Sequence, residues 1–324
     1  MSELFHAIGK EKALTMYEKM VGIRKFEERI RYLFLEGIMP GTIHQYDGQE
    51  ACAVGVCSAL QEGDVIASTH RPHGHAIAKG LTFGELMAEL FGKKTGCCKG
   101  KGGSMHVGDL EKGMIPAIAI VGANIPIITG VALAFRLKRQ RNVAVSFFGD
   151  GASNEGAFHE GINMAAVYNL PAVFVCENNL YGASTPISMV CKLKNISDRA
   201  AAYGIGGVTV DGNDVLAVYR AAKRVIEKAR NGGGPTLLEL KTYRRCGHSR
   251  RDANLYRDKK EEAYWMERDP IPIYKRKLLE AGLCTEDVLN KIDRMVEEAI
   301  EDSIAYAQAS PYPKAEDALE DVFI

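Results

Sequence analysis

VAVSFFGDGASNEGAFHEGINMAAVYNLPAVFVCENNLY, residues 143–181, decides the fold. VAVSFF (143–148) is apolar, β-branched and aromatic, the composition of a strand buried on both faces. GDG follows as a tight turn, and Ala152 to Tyr168 has helical composition. Pro171 marks a boundary, and AVFVC (172–176) is a second buried strand that runs into Glu-Asn-Asn. A strand–helix–strand unit of this kind makes a right-handed crossover between parallel strands. With the two strands adjacent, Asp150 and Asn179 leave the same carboxyl edge of the sheet, where ligands of open α/β sheets bind. The predicted class is therefore α/β: a central, mostly parallel sheet flanked by helices.

Residue types indicate what that edge can hold. Asp150 offers a hard anionic oxygen and Asn179 a neutral carbonyl oxygen. Gly149 and Gly151 let the backbone approach a bulky anion, and a following helix start favours negative charge. Magnesium is usually held by one or two protein groups together with phosphate oxygens. A shell of Asp150, Asn179, a nearby backbone carbonyl and a diphosphate is consistent with that chemistry. A plain strand-to-helix turn would explain GDG alone; GDG and ENN closing two strands of one crossover favour the ion site. Other glycine-rich readings fail on detail. A dinucleotide fingerprint needs a third glycine where Asn154 stands, and GCCKGKGG (96–103) is one residue short of a P-loop, with Gly102 after Lys101.

GDG…ENN resembles the thiamine-diphosphate motif, and GCCKGKGGSMHVGDLEKG (96–113) resembles the E1 α subunit of 2-oxo acid and acetoin dehydrogenases. The resemblance runs from about Met16 to Arg257, and STHRPHGHAIAKG (68–80) is more similar to the acetoin type. It implies a thiamine-diphosphate-binding fold with Mg2+ held by Asp150, Asn179 and the carbonyl of Tyr181. It further implies that Gly149, Gly151 and Ala152 face the diphosphate and that Arg71 contacts it. His44 and His73 would line the cofactor and substrate funnel, with His70 beside them in place of an aromatic hydroxyl. Ala119 and Val121 would offer backbone carbonyls to the cofactor's ring, and His248 would reach the diphosphate or the reacting centre. No motif here supplies the glutamate that such sites use to activate the cofactor. The resemblance assigns that residue to a β subunit in an α2β2 assembly, with a lipoyl-bearing E2 component as acceptor. Acetoin is the expected substrate, with pyruvate or a branched-chain 2-oxo acid as the enzyme alternative and a phosphate- or nucleotide-binding regulator as the non-enzyme one.

The remaining chain supports one unit, 1–324, with an N-terminal helical extension (about 1–40) and a C-terminal helical region (about 259–324). Forty-one basic residues balance 41 acidic ones, which argues against nucleic acid or an anionic membrane as the main partner. The N-terminus MSELFHAIGKEK has no apolar core of a signal peptide, so a cytoplasmic location is expected. Residues 115–135 are apolar, but Pro116, Gly122, Asn124, Pro126 and Gly130 interrupt them, favouring a buried loop leading into a core helix over a membrane span. The eight cysteines form no metal-binding pattern, and Cys52, Cys57 and Cys176 sit among apolar neighbours as buried thiols do. Helices are predicted over 11–36, 48–61, 81–95, 213–230 and 259–308, and further strands over 208–212 and 236–243. His70, Arg71, His73 and His75 crowd one loop, open to metal binding or to simple solvation. RRCGHSRRDANLYR (244–257) carries Arg244, Arg245, Arg250, Arg251 and Arg257 with few apolar residues. It is expected to be mobile without cofactor and to order against a diphosphate.

Overall fold

The computed structural model describes residues 5, 7–249 and 252–321. The described chain opens with α1 (Lys10–Leu35), whose Met16, Met20, Ile23, Phe26, Ile30 and Leu33 recur at helical spacing and are buried. There follow α2 (Glu50–Cys57), β1 (Val65–Ala67), α3 (His73–Lys79), α4 (Phe83–Leu90) and β2 (Met114–Ile115). Thr82 and Glu85 close a reciprocal capping box on α4. The apolar run 115–135 is a loop leading into α5 (Asn124–Leu137), with Pro126 in the first turn where its missing N–H costs nothing. β3 (Ala144–Gly149), α6 (Gly156–Val167) and β4 (Ala172–Asn178) form the crossover that the sequence predicts. The helix after GDG starts later than predicted: Asp150–Asn154 is a 3-10 turn, and an extended Glu155 separates it from α6. A small hairpin, β5 (Tyr181–Gly182) with β6 (Thr185–Pro186), leads into the single-turn α7 (Ile187–Val190). β7 (Gly206–Asp211), α8 (Val215–Arg230) and β8 (Thr236–Lys241) complete the sheet, and α9 (Lys259–Glu267), α10 (Pro270–Glu280) and α11 (Glu286–Ala309) follow.

Six strands pair in the order β2-β1-β3-β4-β8-β7, every pair parallel. Alternate residues of the central strands enter two separate apolar cores. Val145, Phe147, Val173, Val175, Leu238 and Leu240 pack with α1, α2, α4 and α8 on one face. Ala144, Phe148, Phe174, Cys176 and Leu237 pack with α5 and α6 on the other. Cover on both faces is the reason these strands are continuously apolar. In β3 and β4, Gly149 pairs with Glu177, so Asp150 and Asn179 emerge side by side at the carboxyl edge. All eight cysteines are free; Cys52 and Cys176 are buried as expected, whereas Cys57 is only partly buried. Among the described residues no helix is long and apolar enough to cross a membrane.

Candidate functional site

A cavity of about 370 Å³ opens at the carboxyl edge of β3 and β4. Gly149, Asp150, Gly151 and Ala152 form its floor, with Asn179, Tyr181, Arg71, His70 and His248 around them. The register of the crossover brings the floor and Asn179 together. A left-handed Leu180 (φ 75) then turns the chain so that Tyr181 follows at the cavity wall. A Cβ on Gly151 would come within 3.2 Å of the Gly182 Cα, so the turn after β3 and the β5 hairpin touch backbone to backbone.

The charges in the cavity are unbalanced in a way that specifies an occupant. Asp150 is 1 % exposed, its Oδ2 has no hydrogen-bond partner among the described residues, and burial raises its pKa to about 6. Arg71 is 4 % exposed and among the described residues bonds only neutral groups: the Gln45 carbonyl at 2.8 Å, and the carbonyl and Nδ1 of His248 at 2.5 and 3.1 Å. Burial, with Arg244 adding to it, pulls its pKa down to about 9. Arg244 likewise donates to the carbonyls of Cys246 and Ala183 and to the Tyr256 hydroxyl, and burial lowers its pKa. Two buried guanidiniums without a carboxylate hydrogen bond among the described residues call for an anion, and a buried carboxylate oxygen left without a partner calls for a cation. A metal diphosphate satisfies both.

Two imidazoles, His70 and His248, line the cavity. His44, expected in the funnel, packs edge-on against both of them without lining it, with ring centres 5.0 and 5.2 Å away. Burial, assisted by Arg71, depresses their pKa values to about 3 for His44, 2 for His70 and 4 for His248. All three are neutral at pH 7. Because Arg71 can only donate, Nδ1 of neutral His248 accepts and its Nε2 carries the proton. The trio brings one ligand atom each within 4.8 Å of the others. The two guanidiniums nearby oppose a cation there, so the rings are arranged for hydrogen bonding to an uncharged or anionic group.

Some expectations require correction. His73 does not face the cavity: it is fully buried, its Nδ1 2.9 Å from Glu27 Oε1 and its Nε2 3.1 Å from Ser104 Oγ. Both ring nitrogens are thus engaged in holding α3 to α1 and to the loop at 104. Ala119 is absent from the cavity lining, whereas its neighbours Ile118, Ile120 and Val121 line it. The described residues of the loop 244–257 are tied down by hydrogen bonds and ion pairs. Arg257 donates to the Arg244 carbonyl at 2.6 Å and lies over the Tyr243 ring, Arg245 pairs with Asp269 at 2.6 Å, and Asp252 receives the His248 N–H at 2.6 Å. These arginines are individually partnered, so mutual repulsion does not loosen the segment, and His248 already stands at the cavity wall; Arg250 and Arg251 lie outside the described residues.

Other lining residues went unread in the sequence. Gln49 and Thr69 reach the cavity from the loops before α2 and α3. Glu177, inside the ENN motif, lines it and is backed by a buried chain: the Tyr46 hydroxyl and His75 Nε2 (3.1 Å) both meet its Oε1, and Ser68 Oγ lies 2.7 Å from His75 Nδ1. The position of Glu177 directly before Asn178-Asn179 was the only sequence signal for it.

Fold and cavity together define a parallel α/β protein with a buried, charged cavity at the carboxyl edge of its sheet. The chain belongs to the dehydrogenase E1 component family, whose model matches residues 18–316. It is 52% identical over 319 residues to the α subunit of acetoin:2,6-dichlorophenolindophenol oxidoreductase of Bacillus subtilis (strain 168), covering 98% of this chain and 95% of the relative. The subunit of the same name from Cupriavidus necator is 48% identical, covering 98% and 96%. The chloroplastic pyruvate dehydrogenase E1 component subunit alpha-3 of Arabidopsis thaliana is 42% identical, covering 98% and 75%. The chain is thus the α-type subunit of a thiamine-diphosphate-dependent oxidoreductase, a class that works with a β subunit.

Proposed function

We propose that this chain, with its β subunit, binds Mg2+ and thiamine diphosphate in the cavity and cleaves acetoin, passing the acyl unit to a lipoyl-bearing E2 component. The observation that carries the reading is the buried Asp150 Oδ2, without a hydrogen-bond partner among the described residues, in the same cavity as Arg71 and Arg244. Asp150, Asn179 and the Tyr181 carbonyl would hold the ion, and Gly149, Gly151, Ala152 and Arg71 the diphosphate. When bound, the cofactor supplies the carbanion chemistry that breaks the carbon–carbon bond; the protein binds, orients and excludes water. Neutral His248, with its proton on Nε2, is suited to donate to an oxygen of substrate or cofactor, and His44 and His70 shape the space beside it. Ile118, Ile120 and Val121 would wall the ring end of the cofactor.

The cavity does not complete the chemistry alone. Glu177 is held by Tyr46 and His75, and Glu155 is an exposed residue of the lining, so the activating glutamate is assigned to the β subunit. The exposed Ile120 (71 %), with Val121 beside it in the lining, provides apolar surface at this edge for that subunit. An α2β2 assembly, a single domain for 1–324 with its flanking helices, and a cytoplasmic location complete the proposal.

Acetoin is favoured over pyruvate and branched-chain 2-oxo acids by the likeness to two subunits named for acetoin oxidation, at 52% and 48% identity. The test is a rate comparison of the reconstituted αβ complex on acetoin, pyruvate and 2-oxoisovalerate. The α chain alone is expected to be inactive, and the complex to prefer acetoin. Preference for a 2-oxo acid would overturn the substrate, and turnover by the α chain alone would overturn the shared site.

A further inference from the structure

Gln49 stands directly before α2, is 1 % exposed and lines the cavity. Its Oε1 accepts a hydrogen bond from Asn179 Nδ2 at 3.1 Å. The backbone N–H of Tyr181 donates to the other side of the Asn179 amide, its Oδ1, at 3.3 Å. These two contacts agree on one orientation. If the Asn179 amide were flipped, the Tyr181 N–H would face an NH2 group, and two donors would meet. The carbonyl oxygen, the only atom of an asparagine that a cation can use, is therefore kept off Gln49 and available.

The other end of the Gln49 amide is unused. Its Nε2 is buried and has no hydrogen-bond partner among the described residues. A buried donor left unmade costs about 1–3 kcal/mol, so such a group is normally satisfied by a ligand or an ordered water. The same cavity contains Asp150 Oδ2, an unpartnered acceptor-only atom. Gln49 and Asp150 thus present complementary demands: one for an acceptor oxygen, the other for a cation.

We propose that Gln49 is both a positioning and a binding residue of this site. Oε1 holds Asn179 in the orientation that metal coordination requires, and Nε2 donates to a diphosphate oxygen of the occupant. The inference rests on the reading of the cavity as a magnesium–diphosphate site.

The experiment is calorimetry on the reconstituted complex, measuring thiamine diphosphate binding at fixed Mg2+ and Mg2+ binding at saturating thiamine diphosphate. Gln49→Met removes both functions and is expected to weaken Mg2+ binding by about 10–100-fold, the usual effect of losing a group that orients a metal ligand. Gln49→Glu keeps an acceptor for Asn179 but loses the donor. It is expected to retain Mg2+ binding while weakening thiamine diphosphate. If Gln49→Met does not fold by circular dichroism, Gln49→Glu alone decides the donor role and Gln49→Asn, too short to reach Asn179, replaces it for the positioning role. Wild-type constants in Gln49→Met or its replacement would overturn the positioning role, and wild-type thiamine diphosphate affinity in Gln49→Glu the donor role. A wild-type complex whose affinity is indifferent to removal of Mg2+ by EDTA would instead overturn the cavity reading on which the proposal stands.

Discussion

At the scale of the residue, burial without a partner is the recurring theme of the cavity. Asp150, Gln49 and His70 each have a buried polar atom that makes no hydrogen bond among the described residues. His70 gives a pH test whose sign can be worked out. Burial, with Arg71 beside it, depresses its pKa to about 2, so below the unfolded value of 6.5 the unfolded chain takes up a proton that the folded chain refuses. The associated stability is present above pH 6.5 and lost as pH falls. Asp47, whose pKa burial raises, titrates with the opposite sign, so the comparison must be made by difference. His70→Tyr removes one such group. Relative to wild type it should gain roughly 1 kcal/mol, or ~2 °C in Tm, between pH 7.5 and 5.5. Parallel Tm curves for the two proteins would contradict the depressed pKa.

At the scale of the element, the β3–α6–β4 crossover sets the site, and it was legible because two continuously apolar runs end in GDG and ENN. The hairpin after β4 was not legible. Its two-residue strands have no periodicity to read, and its place depends on contact between Gly182 and Gly151. That contact makes Gly151→Ala informative. The backbone there is permissive, but the added Cβ would press on the Gly182 Cα at 3.2 Å and shift the hairpin carrying Tyr181. Overpacking of this kind costs about 1–3 kcal/mol. Thiamine diphosphate affinity should fall by more than the change in Tm alone would suggest, because the strain falls on a proposed ion ligand. Equal affinity in calorimetry would show that the hairpin yields freely. The loop 244–257 gives the converse lesson. Its composition suggested repelling, solvated arginines, yet Arg244 and Arg257 are buried against carbonyls and tyrosine rings. Sequence records their charge but not the aromatic and carbonyl partners that receive them.

For the whole molecule, the sheet separates two apolar cores and leaves one polar edge, where residues distant in the chain converge. Tyr46 reaches Glu177, and Gln49 reaches Asn179, across sequence separations of 131 and 130 residues. No local pattern announces such pairings, so the second layer of the site was invisible before the fold, whereas its floor was not. His73 shows the same limit in reverse: a histidine beside site residues in sequence is turned by α3 toward Glu27. The N- and C-terminal helices buttress each other away from the cavity. The Tyr17 hydroxyl reaches Asp293 at 3.1 Å, and Arg29 pairs with Glu301 at 2.6 Å on the exposed side. Exposed pairs of the latter kind contribute at most about 1 kcal/mol, so the helices hold through burial of Leu289, Val296 and Ile300.

Asp150 would supply the anionic protein oxygen for a magnesium ion held together with the diphosphate. Asp150→Asn changes the charge but hardly the shape, so the fold and the association with the β subunit should survive. Calorimetric titration of the reconstituted complex with thiamine diphosphate in Mg2+ tests it most directly. Losing a charge-assisted contact worth about 1.5–3 kcal/mol should weaken binding roughly ten- to hundredfold, and most of the Mg2+ dependence should disappear with it. An Asp150→Asn complex that binds thiamine diphosphate as tightly as wild type, with the same Mg2+ dependence, would contradict the assignment.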